Sequence, residues 1–294
     1  MGNSVKDIRG QRYIIVLILS VLLHFVGCRI GTRIPESQPC ETPAAYRFEP
    51  GVSLEDIVAD PYVFAGAPRS ERNLALLANI AFLVGYDEIR KNPAWVAYRI
   101  PPDTTFQGHS RISRFSVDAR TLARISHQDY SNTGYSRGHM APSYAIFSRY
   151  GREAQKETYL MSNVCPQYQW LNGGAWNELE SRIARTENWA YSLGGLWIIT
   201  GPVYNSEVEV LPCGVEIPDA FYKIVLDIDD ADGEPRVLAF LMSHKHAHNK
   251  PLEEYLVSVD EIEALTGIDF FWAWDDTVEE VVESLQATSL FCRN

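Results

Sequence analysis

The spacing of apolar positions divides the chain into short strand candidates and a few helices. Residues 95–100 are apolar and aromatic, lie between Pro93 and Pro101, and predict a strand. Residues 158–161 form a second, shorter strand candidate. Over residues 172–186, Trp176, Leu179 and Ile183 recur at helical spacing, with Glu178 and Arg182 on other faces. Residues 196–200 are an apolar run stopped by Gly201 and Pro202, which predicts a buried strand. Residues 221–228 and 236–242 give two more strands. Ser258 and Glu261 form a capping-box signature that opens a helix ending near Gly267. Residues 277–286 predict a last, acidic amphipathic helix. Strands outnumber helices and often follow one another, so the expected class is α+β with a mostly antiparallel sheet.

The N-terminal pattern is of a different kind. Residues 13–27 are apolar apart from Ser20 and His24, and Lys6, Arg9 and Arg12 precede them. This run is shorter than the ~20 residues that cross a bilayer. A positive start followed by such a run reads as a secretory signal. It ends Phe25-Val26-Gly27-Cys28, which resembles a bacterial lipobox with Cys28 as the lipidated residue. An ordinary cleaved signal or an uncleaved anchor are the alternatives. Residues 29–52 hold Pro35, Pro39, Pro43 and Pro50 without sustained periodicity and read as a tether. The expected organisation is a signal over 1–28, a tether over 29–52 and one globular domain over 53–294. The expected location is the cell envelope, through a lipid on Cys28, or otherwise the periplasm or the medium.

Five cysteines sharpen this reading. With Cys28 lipidated, Cys40, Cys165, Cys213 and Cys292 remain, and two disulfides among them allow three connectivities. Cys40 with Cys292 is the favoured pair, because chain termini are often close in space. Four free thiols are the alternative.

The 294 residues carry a formal charge of −12, which by itself argues against a polyanionic partner. The charge is uneven, however. Residues 111–152 contain seven Arg against Asp118 and Asp129, a balance of +5. Residues 253–294 contain eleven Asp or Glu against Arg293, a balance of −10. A basic stretch in the middle therefore remains for phosphates.

Inside that stretch stands Ser136-Arg137-Gly138-His139-Met140-Ala141-Pro142. Gly and Pro put the histidine at a strand end or in a loop, and a histidine near neutral pKa is a natural general base. A lone histidine is more often structural. Further on come Ser162-Asn163-Val164-Cys165-Pro166-Gln167 and Asn172-Gly173-Gly174-Ala175-Trp176, with Glu180 after them.

Together these motifs resemble the DNA/RNA non-specific endonucleases, which include endonuclease G and secreted bacterial nucleases. The hallmark is Asp-Arg-Gly-His, then Ser-Asn-x-x-Pro-Gln, then Asn-x-x-x-Trp with a Glu soon after. This chain departs at the first position, where Ser136 replaces Asp. Some relatives of endonuclease G also carry Ser there. The resemblance covers roughly residues 80–271. It implies a ββα-metal (His-Me finger) core, a Mg²⁺ cofactor with Mn²⁺ as a substitute, DNA and RNA as partners, and homodimers in many members.

The resemblance also assigns roles. His139 takes a proton from the attacking water. Asn172 binds Mg²⁺ through its side-chain oxygen, although by itself it would read as a helix cap. Glu180 holds a water of the cation. On one regular helix it would lie ~12 Å from Asn172, too far for joint ligation. Arg137 and Arg114 are the expected phosphate contacts, since guanidinium forks suit phosphate oxygens. Asn163 orients the site or its backbone. His244, His246 and His248 would share one face of a strand and offer a transition-metal site, but a solvated loop explains them as well.

The expected function is a Mg²⁺-dependent endonuclease with little sequence preference. The competing reading is a non-catalytic envelope lipoprotein that binds nucleic acid or a protein partner on a nuclease scaffold.

Overall fold

The computed structural model describes residues 62–185, 188–205, 207–228, 235–245 and 250–291. The signal and tether segments, Cys40, His246, His248 and Cys292 lie outside these residues.

The centre is a seven-stranded antiparallel sheet. In chain order its strands are β2 (Ala75–Ala78), β3 (Phe82–Asp87), β4 (Asn92–Ile100), β7 (Leu196–Val203), β10 (Ala220–Ile228), β11 (Pro235–Ser243) and β12 (Leu256–Val257). They lie side by side as β12-β11-β10-β7-β4-β3-β2. Three two-stranded ladders complete the strands: β1 (Arg69–Ser70) with β13 (Ile268–Asp269), β5 (Ser136–His139) with β6 (Val164–Gln167), and β8 (Glu209–Val210) with β9 (Glu216–Ile217). The class is α+β, as the adjacent strand candidates imply.

Strand alternation gives the sheet two buried faces. Val96, Tyr98 and Ile100 of β4 and Phe221 and Val225 of β10 join one core. That core also holds Ala145 and Ile146 of helix α1 (Ser143–Thr158) and Trp176, Leu179 and Ile183 of helix α3 (Ala175–Ala184). Trp95 and Ala97 of β4 and Tyr222 and Ile224 of β10 face the other way. They pack with Val259 and Ile262 of α5 (Val259–Thr266) and Val278 and Val282 of α6 (Asp276–Ser284). One-turn helices α2 (Gln169–Asn172) and α4 (Trp189–Ser192) flank α3.

Several expectations change. Residues 158–161 are not a strand: Thr158 closes α1 and Met161 opens a short 3-10 turn before β6. The expected helix over 172–186 is two helices. Gly173 and Gly174 interrupt it, so Asn172 ends α2 and does not open α3. Helix α1 has no counterpart among the expected elements. Gly151 breaks its periodicity at φ 86°, and a Cβ there would meet the Phe106 ring at 3.1 Å. The Ser258 cap holds, accepting from the Glu261 N–H, and Gly267 ends α5 in the left-handed region. Cys165 and Cys213 are free thiols, so they form no disulfide.

Asn163, just before β6, fixes the chain after β5 and at the end of α1. It is wholly buried. Its Oδ1 accepts from the Ala141 N–H at 2.9 Å, and its Nδ2 donates to the carbonyls of Ala141 at 3.1 Å and Thr158 at 3.0 Å. Its own carbonyl accepts from the Met140 N–H at 3.0 Å. Asn163→Ala leaves three buried backbone groups without partners. It is expected to lower stability by about 3 kcal/mol, read as a shifted urea midpoint at unchanged slope. A midpoint within error of the wild type would show that the clamp contributes nothing.

Candidate active site

On the first face of the sheet a cleft of about 580 Å³ opens between β5, α1 and α3. His139 and Arg137 from β5 line it, as do Asn172 from α2 and Glu180 from α3. These are four of the six residues that the sequence nominates.

β5 brings His139 to the cleft wall through a close approach. Gly138 pairs with Cys165 across the ladder, and a Cβ on Gly138 would stand 2.3 Å from Gln167 Oε1. Only glycine lets the strand lie this close, which is why the histidine follows one. The imidazole packs on the rings of Phe115 and Tyr159, with centroids 4.9 and 4.8 Å away. Its Nε2 is shielded and has no hydrogen-bond partner in the protein. Burial, with help from the Arg111 charge and His109, pushes the pKa down to about 3. Burial thus favours the neutral ring, and its Nε2 is left unpartnered.

Glu180 lines the opposite wall of the cleft. Its Oε1 is buried without a hydrogen-bond partner, and 4.0 Å away stands Nζ of Lys223. Lys223 lies wholly buried in the middle of β10. Its ammonium sits 4.3 Å from the Trp176 ring centroid and 3.4 Å from the Tyr98 hydroxyl. Burial raises the Glu180 pKa to about 7, against the pull of Lys223 and Arg185. Burial also lowers Lys223, and Glu180 opposes that shift. The carboxyl gains a proton as the medium turns mildly acidic. Because Gly173 and Gly174 turn the chain between α2 and α3, Glu180 is not held ~12 Å up a single helix from Asn172.

The turn carrying Asn172 is fastened at two points. Ser136, which stands where the family motif has Asp, donates through Oγ to Gln169 Oε1 at 2.7 Å. It thus joins the histidine strand to the first residue of α2. At the other point, the Tyr168 N–H donates to His244 Nε2 at 2.6 Å. His244 Nδ1 lies 2.6 Å from the Pro218 carbonyl. With Nε2 accepting, Nδ1 carries the proton and donates to that carbonyl. Both ring nitrogens are engaged in a wholly buried ring, so His244 cannot ligate a metal, and the three-histidine site fails at its first member.

The arginines sort differently from expectation. Arg114 does not line the cleft, whereas Arg111 does. Arg120 forks onto Asp118, and Arg149 is buried against the Pro101 and Ala184 carbonyls. Both are structural, so the local positive balance overstates what substrate meets. Arg185, from outside that window, adds a charge at the cleft, 4.0 Å from the centroid of the Tyr144 ring. Arg137 donates from Nε to the His127 carbonyl at 3.2 Å and from Nη2 to Ser131 Oγ at 3.2 Å, which orients it. Asn163 lies under the site and acts on backbone alone.

Sequence reasoning passed over Arg111, Arg185 and Lys223 as site residues. Lys223 left a signal, a lysine inside an otherwise apolar strand, since lysine is almost never fully buried unless paired. Arg111 and Arg185 left none, because solvated arginines are common.

The DNA/RNA non-specific endonuclease family model matches residues 67–277. The mouse (Mus musculus) protein Nuclease EXOG, mitochondrial, is 29% identical over 241 residues, or 76% of this chain and 62% of that protein. Human (Homo sapiens) Endonuclease G, mitochondrial, is 28% identical, covering 65% of this chain and 67% of its own length. The Nuclease of Serratia marcescens is 26% identical, with 82% and 91% covered. Among solved structures, a chain from the crystal structure of the EndoG/EndoGI complex superposes with a TM-score of 0.61 at 24% identity. It covers 68% of this chain and 86% of that one, and it shares the fold.

The shielded imidazole has a consequence for stability. A histidine at 6.5 when unfolded and about 3 when folded takes its proton first in the unfolded state. Its contribution is present above 6.5 and is lost as pH falls toward 3. The wild type should therefore lose more stability between pH 7 and 4.5 than His139→Gln, measured by urea midpoints. Equal losses would mean that the ring titrates normally.

Proposed function

Since the chain belongs to the DNA/RNA non-specific endonuclease family, whose reaction is hydrolysis of phosphodiester bonds, we propose that it is a Mg²⁺-dependent endonuclease cutting both DNA and RNA, with His139 as general base. The observation that carries this reading is one cleft lined by a neutral imidazole with an unpartnered Nε2, a carboxamide and an unpartnered carboxylate oxygen.

The donor set fits a hard cation. The Asn172 side-chain oxygen and the Glu180 carboxylate suit Mg²⁺ or Mn²⁺, and a buried Glu180 Oε1 without a partner is an oxygen that a cation or its water would satisfy. When bound, the cation neutralises charge on the phosphate oxygens and on the departing 3′ oxygen. His139 Nε2 takes a proton from the water attacking phosphorus. The aromatic wall of Phe115 and Tyr159 holds the ring still and unprotonated. Arg111, Arg137 and Arg185 hold the phosphates, and Arg111 takes the part expected of Arg114. The P–O3′ bond breaks and the phosphate stays on the 5′ end, as the family resemblance implies. Asn163, Ser136 and His244 act on position only.

The proposal extends to export through residues 1–28, with a lipid on Cys28 as the membrane attachment, and to a homodimer as the assembled form. A non-catalytic binder needs neither a bare imidazole nitrogen nor an orphaned carboxylate oxygen in the same cleft.

Plasmid digestion tests the reading. The wild type should cut supercoiled plasmid and total RNA with Mg²⁺ and stop with EDTA. His139→Ala should lose at least about a hundredfold in rate, as removal of a general base does. Folded wild type that leaves plasmid intact with Mg²⁺ would return the chain to the binder class. For the cation site, Glu180→Gln and Asn172→Ala should each raise the Mg²⁺ concentration needed for half-maximal rate. Unchanged Mg²⁺ dependence in both would remove these residues from the site.

A further inference from the structure

Across the sheet from the cleft, helices α5 and α6 bring three carboxylates together. One oxygen each from Asp260, Glu263 and Glu283 lies within 4.8 Å of the others. Asp260 is open to solvent, Glu263 is half-buried, and Glu283 is only 5% exposed. Glu283 Oε1 is sealed from water and has no hydrogen-bond partner. Glu263 accepts from the Phe270 N–H at 2.7 Å, which fixes its carboxylate. Among the described residues no Lys, Arg or His forms an ion pair with any of the three. Asp269 and Glu279 add negative charge around Glu283, and burial with these neighbours pushes its pKa up to about 9.

An acidic cluster on a surface needs no explanation. A carboxyl oxygen buried without a hydrogen-bond partner, with four other carboxyls around it, does, because buried polar atoms in folded proteins are almost always satisfied. Each donor is a hard oxygen, and no thiol or imidazole joins the group. Ca²⁺ bonds oxygen at about 2.3–2.6 Å, so carboxylate oxygens up to ~5 Å apart can bracket it. Mg²⁺ at ~2.1 Å demands a tighter, nearly octahedral set. The open side at Asp260 leaves room for the waters that complete a Ca²⁺ shell.

We propose that Asp260, Glu263 and Glu283 form a Ca²⁺ site, separate from the catalytic cleft, that clamps α5 to α6. Val259 and Ile262 of α5 and Val278 and Val282 of α6 cover the second face of the sheet. A cation between the helices would hold this layer in place and remove the repulsion among its acids. Its effect is on stability and not on the chemistry, because the cleft lies on the opposite face.

The full chain, stripped with EDTA, is melted with and without millimolar calcium chloride, and Ca²⁺ binding is measured by titration calorimetry. The wild type is expected to melt several degrees higher with Ca²⁺. Glu283→Gln should abolish that rise and keep Mg²⁺-dependent plasmid cleavage. Asp260→Asn, at an exposed position that folding tolerates, should weaken Ca²⁺ binding about tenfold or more, since affinity follows ligand charge. Asn172→Ala, which alters the cleft, should keep the rise. A wild type that melts at one temperature with and without Ca²⁺ overturns the proposal. So does a rise that survives Glu283→Gln and Asp260→Asn but disappears in Asn172→Ala, which would place the ion in the cleft.

Discussion

Lys223 stands in the middle of β10, flanked in the sheet by β7 and β11, with no exposed surface. A charge in such a place needs a counter-charge, and the unit above it is Glu180 on α3. This constraint ties the scaffold to the site. The strand parity that sends Phe221, Lys223 and Val225 to one face also decides which face carries the cleft. α3 must then cross that face so that Trp176 caps the ammonium and Glu180 reaches it, one helical turn apart. Burial thereby keeps the carboxyl near its point of ionisation at neutral pH.

Around this pair two buried side chains hold backbone, and one exposed side-chain bond adds a tie. Asn163 grips the chain after His139, Ser136 ties the histidine strand to α2, and His244 grips Tyr168 just before it. His139 and Asn172 each follow closely on one of these attachments. In the proposed mechanism these two residues must be placed to within fractions of an ångström, and the buried side-chain-to-backbone bonds of Asn163 and His244 provide that stiffness. The side chains that touch substrate in this scheme are correspondingly left with free atoms.

The sheet also separates the protein's acidic surface from its arginine-lined cleft. Its acidic C-terminal helices lie on one face and its cleft with Arg111, Arg137 and Arg185 on the other. The low-dielectric sheet and a screening length of about 8 Å in physiological salt separate the two fields. Net charge therefore says little about the surface a phosphate meets.

Much of this was legible in the chain itself. Short, largely apolar runs specified β4, β7, β10 and β11, because a sheet buried on both faces is written mostly in apolar residues, but the expected stops did not hold: β4 takes in Pro93 and β7 runs on through Gly201 and Pro202 to Val203. The Ser258 cap and Gly267 specified α5 through local hydrogen bonds alone. His139, Asn172 and Glu180 were legible as a spaced pattern. Tertiary structure decided what depends on distant segments. It split the expected helix at Gly173 and Gly174, and it built α1 across Gly151, where packing overrides weak local preference. It chose Arg111 over Arg114, since three residues along a loop change which way a side chain faces. It took His244 out of metal chemistry by closing both its nitrogens against Tyr168 and Pro218, partners 76 and 26 residues away. It also set Lys223 beneath Glu180, a pairing across β10 and α3 that only the folded sheet brings into contact.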